Sequence, residues 1–84
     1  MPKSYPAVAA RAGAEGNTVL QYYVEPDGKQ TKVRVLRSSG DTPVHKLLDF
    51  HAAVAGATCD FSPAMEGGVP KGGWVQIHVV WKLN

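Results

Sequence analysis

The 84-residue sequence predicts an α+β domain in which two helices cover one face of a three-stranded antiparallel sheet. Three observations support this prediction. Residues 74–83 alternate between apolar and mostly polar side chains, which is the period of a half-buried strand. Residues 26–29 form a Pro-Asp-Gly-Lys turn between two strand-like segments. Residues 44–55 carry apolar side chains at helical spacing.

The first part of the chain predicts a short helix followed by a β-hairpin. Pro6 suits a first helical position, and residues 7–12 are mostly good helix formers. Gly13 is placed to end this helix in a left-handed conformation. Residues 18–24 and 32–36 then alternate as strands on either side of the turn, which indicates a hairpin.

The second part of the chain predicts a longer helix and a final strand. Thr42 and Pro43 suit the N-cap and the first helical position. Asp49 is expected on the exposed surface of this helix, and residues 66–73, with four glycines and a proline, are expected to form a mobile loop. The predicted apolar stripe of the helix consists of Val44, Leu47, Leu48, His51, Val54 and Ala55.

The order of the elements, α-β-β-α-β, limits the topology. A crossover from the second strand over the first gives the strand order 2-1-3, with antiparallel neighbours and both helices on one face. The last strand is then an edge, where unpaired N–H and C=O groups are presented to any extended peptide. Residues 1–84 are too few for a second core, so a single domain is expected.

Composition argues against several classes of protein. A net charge of +2 is too small to indicate nucleic-acid binding, for which a clustered basic face is expected. Lys32, Arg34 and Arg37 form a small basic cluster, which is interpreted as a solvated face of the hairpin. No apolar run approaches the roughly 18–20 residues that a membrane span needs.

No motif indicates catalysis, a metal ion or a cofactor. His45 and His51 are six residues apart, a spacing that does not bring them onto one helix face. Cys59 lacks the surroundings of a nucleophile, and as a single cysteine it is expected to be a small buried hydrophobic residue. Trp81 lies on the apolar face of the last strand and is expected in the core, whereas Trp74 suits either packing or partner binding.

A series of short motifs runs in order through nearly the whole chain: Tyr5-Pro6, Gly13, Gly16, Thr18, Leu20, Tyr22, Val24, Asp27-Gly28, Ser38-Ser39-Gly40, Leu48-Asp49, Ala52-Ala53, Phe61, Pro63-Ala64 and the segment from Trp74 to Leu83. Together they resemble the C-terminal domain of TonB-type energy transducers. That family has a three-stranded antiparallel sheet backed by two helices, in agreement with the predicted fold. Cys59 stands where the family often has tryptophan, which is expected to loosen the packing beside Phe61.

The resemblance implies a non-enzymatic recognition module in the periplasm. Proteins of this family sit in the inner membrane with partners that harvest the proton gradient, and they grip the TonB box of an outer-membrane transporter. This chain lacks the membrane helix and Pro-rich spacer, so those inner-membrane partners would be reached only through a missing N-terminal region. The family adds the TonB-box peptide to its last strand, which assigns partner binding here to Tyr5, Pro6, Trp74, Val75, Gln76, Ile77, His78, Val79, Val80, Trp81 and Lys82. The alternative is a structural domain that forms a homodimer through the same edge strand.

Overall fold

The protein's structure, a computed structural model, describes residues 5–83. The single domain predicted for residues 1–84 also includes residues 1–4 and 84, which lie outside this range. The elements follow in the order α1 (Ala7–Arg11), β1 (Gly16–Val24), β2 (Gln30–Arg37), α2 (Pro43–Gly56), β3 (Ala64–Glu66), β4 (Val69–Lys71) and β5 (Gly73–Trp81). An antiparallel sheet in the order β2-β1-β5 confirms the predicted fold class and strand order.

Helix α1 begins one residue later than the sequence predicts. Pro6 has an extended ψ of 134° and forms the N-cap, so Ala7 is the first helical residue. Gly13 follows the helix with φ 67°, the left-handed conformation expected of it. Ala9 is fully buried, which fixes this short helix against the rest of the protein.

The hairpin of β1 and β2 has the predicted turn but an irregular register. Asp27 Oδ1 accepts a hydrogen bond of 2.9 Å from the Lys29 N–H, as expected of a turn residue. The Glu25 N–H donates to the Lys29 carbonyl at 2.8 Å and closes the hairpin. The register shifts near both ends of β2, so only the middle of this strand pairs regularly with β1.

Helix α2 starts as predicted but faces the sheet with a different stripe. Thr42 Oγ1 accepts a hydrogen bond of 3.2 Å from the His45 N–H, which confirms the N-cap. Val54, predicted in the apolar stripe, is exposed together with Ala55. A Cβ atom at Gly56 would lie 2.2 Å from Tyr22 Oη, so the helix approaches the sheet most closely on the side of Gly56. The residues of α2 that this side buries are Leu48, Asp49, Ala52 and Gly56.

The segment predicted as a mobile loop at residues 66–73 contains a second, separate hairpin. Strands β3 and β4 pair with each other in register, with Glu66 opposite Val69. Gly67 and Gly68 form the two-residue connection, with φ values of 58° and 80°. Positive φ at both central residues is the requirement of a type I′ turn, whose twist matches that of the paired strands. The prediction of a loop is therefore wrong.

The core lies between the sheet and the two helices. Trp81 is buried there, as predicted, and its neighbours in the cluster include Ala9, Leu20, Tyr22 and Leu48. Cys59 is exposed, so the expectation of a buried cysteine is wrong. The physical reason is its position in the turn after α2, where the helix no longer lies against the sheet. His51, predicted in the apolar stripe, is half-buried with its ring centroid 6.1 Å from that of Phe50.

Candidate functional site

Strand β5 occupies one edge of the three-stranded sheet formed by the described residues. Its pairing with β1 is continuous from Gly73, opposite Val24, to Trp81, opposite Gly16, without a register shift. Val80 and Trp81 also interact with other groups of the protein, so they are not counted as available to a partner. The candidate binding surface along this strand therefore runs from Trp74 to Val79, a stretch termed the β5 edge.

The direction of the backbone groups along the β5 edge follows from the hairpin. The Glu25 N–H points towards β2, because it donates to the Lys29 carbonyl. Backbone groups in antiparallel strands alternate in direction, so those of Val24, Tyr22 and Leu20 point towards β5. Since Tyr22 pairs with Val75, the same alternation directs the N–H and C=O groups of the intervening β5 residues outward. The outward-directed residues of the β5 edge are Trp74, Gln76 and His78.

The side chains of the β5 edge divide between two environments. Val75, Ile77 and Val79 are partly buried and pack against the core on the helix side of the sheet. Trp74, Gln76 and His78 are exposed on the opposite side, termed the open face. The alternation predicted for this strand is therefore confirmed. A peptide lying beside β5 would meet the apolar side chains of Val75, Ile77 and Val79 on one side of the sheet. On the other side it would meet Trp74, Gln76 and His78.

The open face holds Trp74 in a stack of aromatic and cationic side chains. The Arg34 guanidinium carbon lies 4.0 Å from the centroid of the Trp74 ring. Arg34 Nε also donates a hydrogen bond of 2.9 Å to Gln21 Oε1, which fixes the guanidinium over the sheet. The Tyr23 ring meets Trp74 edge-on, with centroids 5.3 Å apart. Trp74 is thus a surface residue held in one orientation, a favourable property in a residue that contacts a partner.

Tyr5, which directly precedes Pro6, lies near the C-terminal end of strand β5 only. The Tyr5 ring packs edge-on against Trp81, with centroids 5.1 Å apart, and its hydroxyl donates to the Ala14 carbonyl. Trp74 is seven residues away along β5, a distance of roughly 23 Å at ~3.3 Å per residue. The structure therefore brings Tyr5 to the end of the predicted site at Trp81, and does not bring it near Trp74. Lys82 follows the strand and is exposed.

A buried polar network lies at this same end of the sheet, and sequence reasoning missed its central residue. The Trp81 indole N–H donates to Thr18 Oγ1 at 3.1 Å, and the Thr18 hydroxyl donates to Asp49 Oδ1 at 2.8 Å. The Ser39 N–H donates to the same oxygen at 2.9 Å, and the Ser38 hydroxyl donates to the other carboxylate oxygen. Asp49 is 6% exposed, so the prediction of a surface residue is wrong.

Hydrogen bonds from the protein stabilise the ionised form of the buried Asp49 carboxylate. Burial alone would raise its pKa, but the hydrogen bonds from Ser38, Ser39 and Thr18 outweigh burial and lower the pKa. The helical pattern gave no signal for this role, because the partners of Asp49 come from β1 and from the loop after β2. The network is a structural anchor for the end of β5.

The described residues contain few groups suited to other chemistry. Within residues 5–83, no three histidine, cysteine, aspartate or glutamate side chains lie close enough together to hold a metal ion. None of the helices in this range has the length and apolar character that a membrane crossing requires. What the β5 edge provides is a row of backbone hydrogen-bonding groups between two layers of side chains.

A small α+β domain with a regular strand at the edge of its sheet is typical of protein-interaction domains, since such an edge can pair with an extended segment. Comparison with known families makes the assignment specific. The family model described as Gram-negative bacterial TonB protein C-terminal matches residues 1–83, and the chain belongs to this family. The family is a non-enzymatic protein-interaction and transport domain.

Relatives and a solved structure agree with this assignment. Over 80 residues the chain is 36% identical to protein tonB2 of Pseudomonas aeruginosa and 33% identical to protein TonB of Vibrio cholerae. These matches cover 95% of this chain but only 28% and 31% of the two relatives, so the chain spans less than a third of their length. The NMR solution structure of Helicobacter pylori TonB-CTD matches 98% of this chain and 70% of its own, with a TM-score of 0.72. At 23% identity, this last match shows a shared fold.

Proposed function

We propose that this domain is the periplasmic recognition module of a TonB-type energy transducer. It binds the TonB-box peptide of an outer-membrane transporter by adding that peptide as a further strand beside β5, and so serves energy-dependent uptake across the outer membrane. The observation that carries the proposal is the β5 edge, Trp74 to Val79, with its unbroken register against β1. A regular strand can extend its sheet without rearrangement, because its outward groups already have the spacing of a ladder.

The expected affinity is modest, which suits a coupling that forms and releases repeatedly. About five backbone hydrogen bonds at ~0.5–1.5 kcal/mol each contribute a few kcal/mol. Ordering an extended peptide removes part of this gain. The binding free energy is therefore expected to be about −8 kcal/mol at best, which corresponds to a dissociation constant in the micromolar range.

The two layers of side chains would add selectivity to the backbone ladder. On the helix side, apolar residues of the peptide would extend the layer formed by Val75, Ile77 and Val79. On the open face, peptide side chains would lie beside Trp74, whose ring is already held by Arg34 and Tyr23. A rigid aromatic neighbour provides contact area with little loss of side-chain entropy on binding.

The remaining parts of the proposal concern the place of the domain in a larger protein. We place it in the periplasm, tethered to the inner membrane by a segment that this chain does not contain. Inner-membrane partners that use the proton gradient would contact that segment, whereas the transporter would contact the β5 edge. The shares of the two relatives that match, 28% and 31%, are consistent with a role as one module of a longer protein.

A homodimer formed through the same edge is the second candidate. One observation favours it: β5 contains no lysine, arginine, aspartate or glutamate, so two copies of this edge would bring none of these residues of β5 opposite one another. Because both uses need the same row of outward groups, peptide binding and dimerisation would compete. Size-exclusion chromatography at several concentrations, with and without a TonB-box peptide, separates the two candidates.

The proposal is tested by NMR titration of ¹⁵N-labelled domain with short TonB-box peptides from candidate transporters. We expect amide shifts to be largest from Trp74 to Val79, with saturation at micromolar to sub-millimolar peptide. A peptide with the same composition in scrambled order serves as the control. Shifts that cluster in the β1–β2 hairpin or on α2, with none at the β5 edge, would contradict the proposal.

A further inference from the structure

We propose that the opposite edge of the sheet, at β2, is a second docking site whose occupant is an extended peptide in which apolar residues alternate with acidic ones. This inference goes beyond the proposed function, since it concerns a different edge and a different partner. Four features of the described residues support it: the outward N–H and C=O groups of β2, the exposed apolar side chains beside it, the cationic side chains of β2, and the repulsion expected if two copies of β2 paired.

The backbone of β2 directs two residues outward. Gln21 and Tyr23 point towards β2 by the same alternation that directs Glu25 there, and they pair with Arg34 and Lys32. The intervening residue Val33, and by continuation Val35, therefore present their N–H and C=O groups to the outside. In the sheet formed by residues 5–83, β1 is the only strand beside β2.

Apolar side chains next to this edge are exposed on the helix side of the sheet. Val33 and Val35 pair with Tyr22 and Leu20, which face the core, yet they are 49% and 46% exposed. On α2, Phe50 is 64% exposed, and Val54, one turn further, is 51% exposed. A groove between β2 and α2 is lined by Val35, Ser38, Lys46, Asp49, Phe50 and Ala53. An added strand would cover this groove with its own apolar residues.

The ionisable side chains of β2 itself are all cationic, while the Glu25 carboxylate near its start accepts a hydrogen bond from Thr31. Lys32, Arg34 and Arg37 are the ionisable residues of β2, and Lys46 lines the end of the groove. The only carboxylate lining the groove is that of Asp49, whose charge is already taken up by its hydrogen-bond donors. Peptide residues on the open face beside β2 would therefore be favoured if acidic, because they would lie near the cationic side chains of Lys32 and Arg37.

The same charges argue against a second copy of this chain as the occupant. In an antiparallel β2–β2 pairing, residues on one face meet residues of the same face, so Lys32 and Arg34 would lie opposite one another or themselves. Like charges directly opposite in a sheet are destabilising. The register shifts at both ends of β2 also shorten the regular segment to residues 32–35, which discourages indiscriminate pairing. A short acidic–apolar strand avoids the like-charge contacts, and its length matches the short regular segment of β2.

The test uses ¹⁵N-labelled domain and a capped peptide of Glu-Val repeats about eight residues long, a usual strand length. The matched control peptides are Lys-Val repeats and a blocked sequence with all glutamates before all valines. We expect the Glu-Val peptide to shift the amides of Val33, Val35 and Phe50, and to bind about tenfold more tightly than either control. Binding should persist when the β5 edge is saturated with a TonB-box peptide.

A charge-reversal pair sharpens the test. The double substitution Lys32→Glu and Arg37→Glu is expected to weaken the Glu-Val peptide about tenfold and to strengthen the Lys-Val peptide. The control pair, Lys71→Glu and Arg11→Glu, makes the same change in net charge at exposed positions on β4 and α1, and should leave both affinities within about twofold.

Three outcomes would overturn the proposal: equal binding of the Glu-Val and Lys-Val peptides, shifts confined to the β5 edge, or no shift at millimolar peptide. None of these outcomes would affect the titration of the β5 edge with TonB-box peptides, so failure of this proposal is distinguishable from failure of the proposed function. Self-association of the domain through β2, seen as concentration-dependent shifts at Val33 without peptide, would also contradict it.

Discussion

Strands β2 and β5 flank β1 on either side in the sheet formed by residues 5–83, and each directs a row of backbone groups outward. The two strands differ in the regularity of their pairing with β1 and in the side chains beside that row. Strand β5 pairs with β1 in one register over its whole length, and its own residues include no lysine, arginine, aspartate or glutamate. Strand β2 shifts register near both ends and carries Lys32 and Arg34 on that face. The backbone alone therefore does not decide what a sheet edge accepts.

On the two proposals above, this difference would keep the two edges of one small sheet from competing for the same partner. A long, regular, neutral edge favours any strand of suitable shape, whereas a short, cationic edge selects by charge. Substitutions can determine whether the two edges depend on common supports and whether each can be disabled separately.

The largest expected effect is on a support that both edges share. Asp49 binds Ser38 and Ser39, which directly follow β2, and reaches Trp81 at the end of β5 through Thr18. The substitution Asp49→Ala leaves buried donors without partners, so we expect it to lower the free energy of unfolding by about 3 kcal/mol. Urea denaturation measures this change.

Hydrogen exchange adds the structural readout for this variant. Amide protection should fall together at the C-terminal ends of β2 and β5, because hydrogen bonds connect both ends to the Asp49 carboxylate. The control is Asp27→Ala, which removes an exposed carboxylate from a turn and should cost less than about 1 kcal/mol. A loss below about 1 kcal/mol for Asp49→Ala would show that the two edges are supported independently.

A smaller effect on the same support is expected from acid. The hydrogen bonds to Asp49 hold its pKa below the ordinary value despite burial, so the folded state binds a proton less readily than the unfolded state. The resulting stabilisation is fully present above the unfolded pKa, near pH 4, and is lost as the pH falls through the lowered pKa. Thermal unfolding followed between about pH 7 and pH 2 measures this loss. The variant Asp49→Asn should be less stable at neutral pH and lose less on acidification; a parallel decline in both proteins would contradict the assignment.

Single proline substitutions should disable the edges one at a time. Gln76→Pro removes an outward N–H from β5, and we expect about tenfold weaker binding of a TonB-box peptide. Val35→Pro removes an outward N–H from β2 and should leave that affinity unchanged while weakening the Glu-Val peptide. Isothermal titration calorimetry measures both peptides on both variants, and circular dichroism checks the fold.

A side-chain control separates the backbone from the residue it carries. Gln76→Ala keeps the N–H and loses only a side chain whose amide nitrogen lies 2.9 Å from His78 Nε2, so the affinity should stay within about twofold. If Gln76→Ala weakens binding as much as Gln76→Pro, the side chain rather than the ladder is responsible.

The smallest effect is expected at the stack that reaches across the sheet. Trp74→Ala removes a ring held in place by Arg34 and, with it, contact area for the peptide, so peptide binding at the β5 edge should weaken by about threefold. Trp74→Phe should retain most of the affinity. Fluorescence anisotropy of a labelled peptide resolves this difference, and no change for Trp74→Ala would remove Trp74 from the site.

Local patterns predicted the elements and faces that depend only on the strand itself. The period of two identifies the buried and open faces of β5 correctly, because successive side chains alternate wherever the strand lies. The direction of the edge also follows, since few topologies remain once the order of elements is known. By contrast, the pattern cannot place Asp49, whose partners Thr18 and Ser38 reach it only through the tertiary fold.

Two further differences have separate physical causes. The hairpin of β3 and β4 was within reach of sequence reasoning, because Gly67-Gly68 between short strand-like segments is a signal for a two-residue turn. The stack of Arg34 on Trp74 was not, since it joins side chains from β2 and β5 across the intervening strand β1. The sequence thus predicts the row of backbone groups at the candidate site. It does not predict which side chains from other strands lie beside that row.

The contact between Tyr5 and Trp81 has a mechanical consequence. It joins the first described residue of the chain to the end of the last strand, with the Tyr5 hydroxyl also bound to the Ala14 carbonyl. A pulling force from the N-terminal side would enter the domain beside β5, the strand proposed to bind the transporter peptide, so the shortest path of the force would bypass α2 and β2. We expect those two elements to stay slack while the domain is pulled, leaving their groove undisturbed under load.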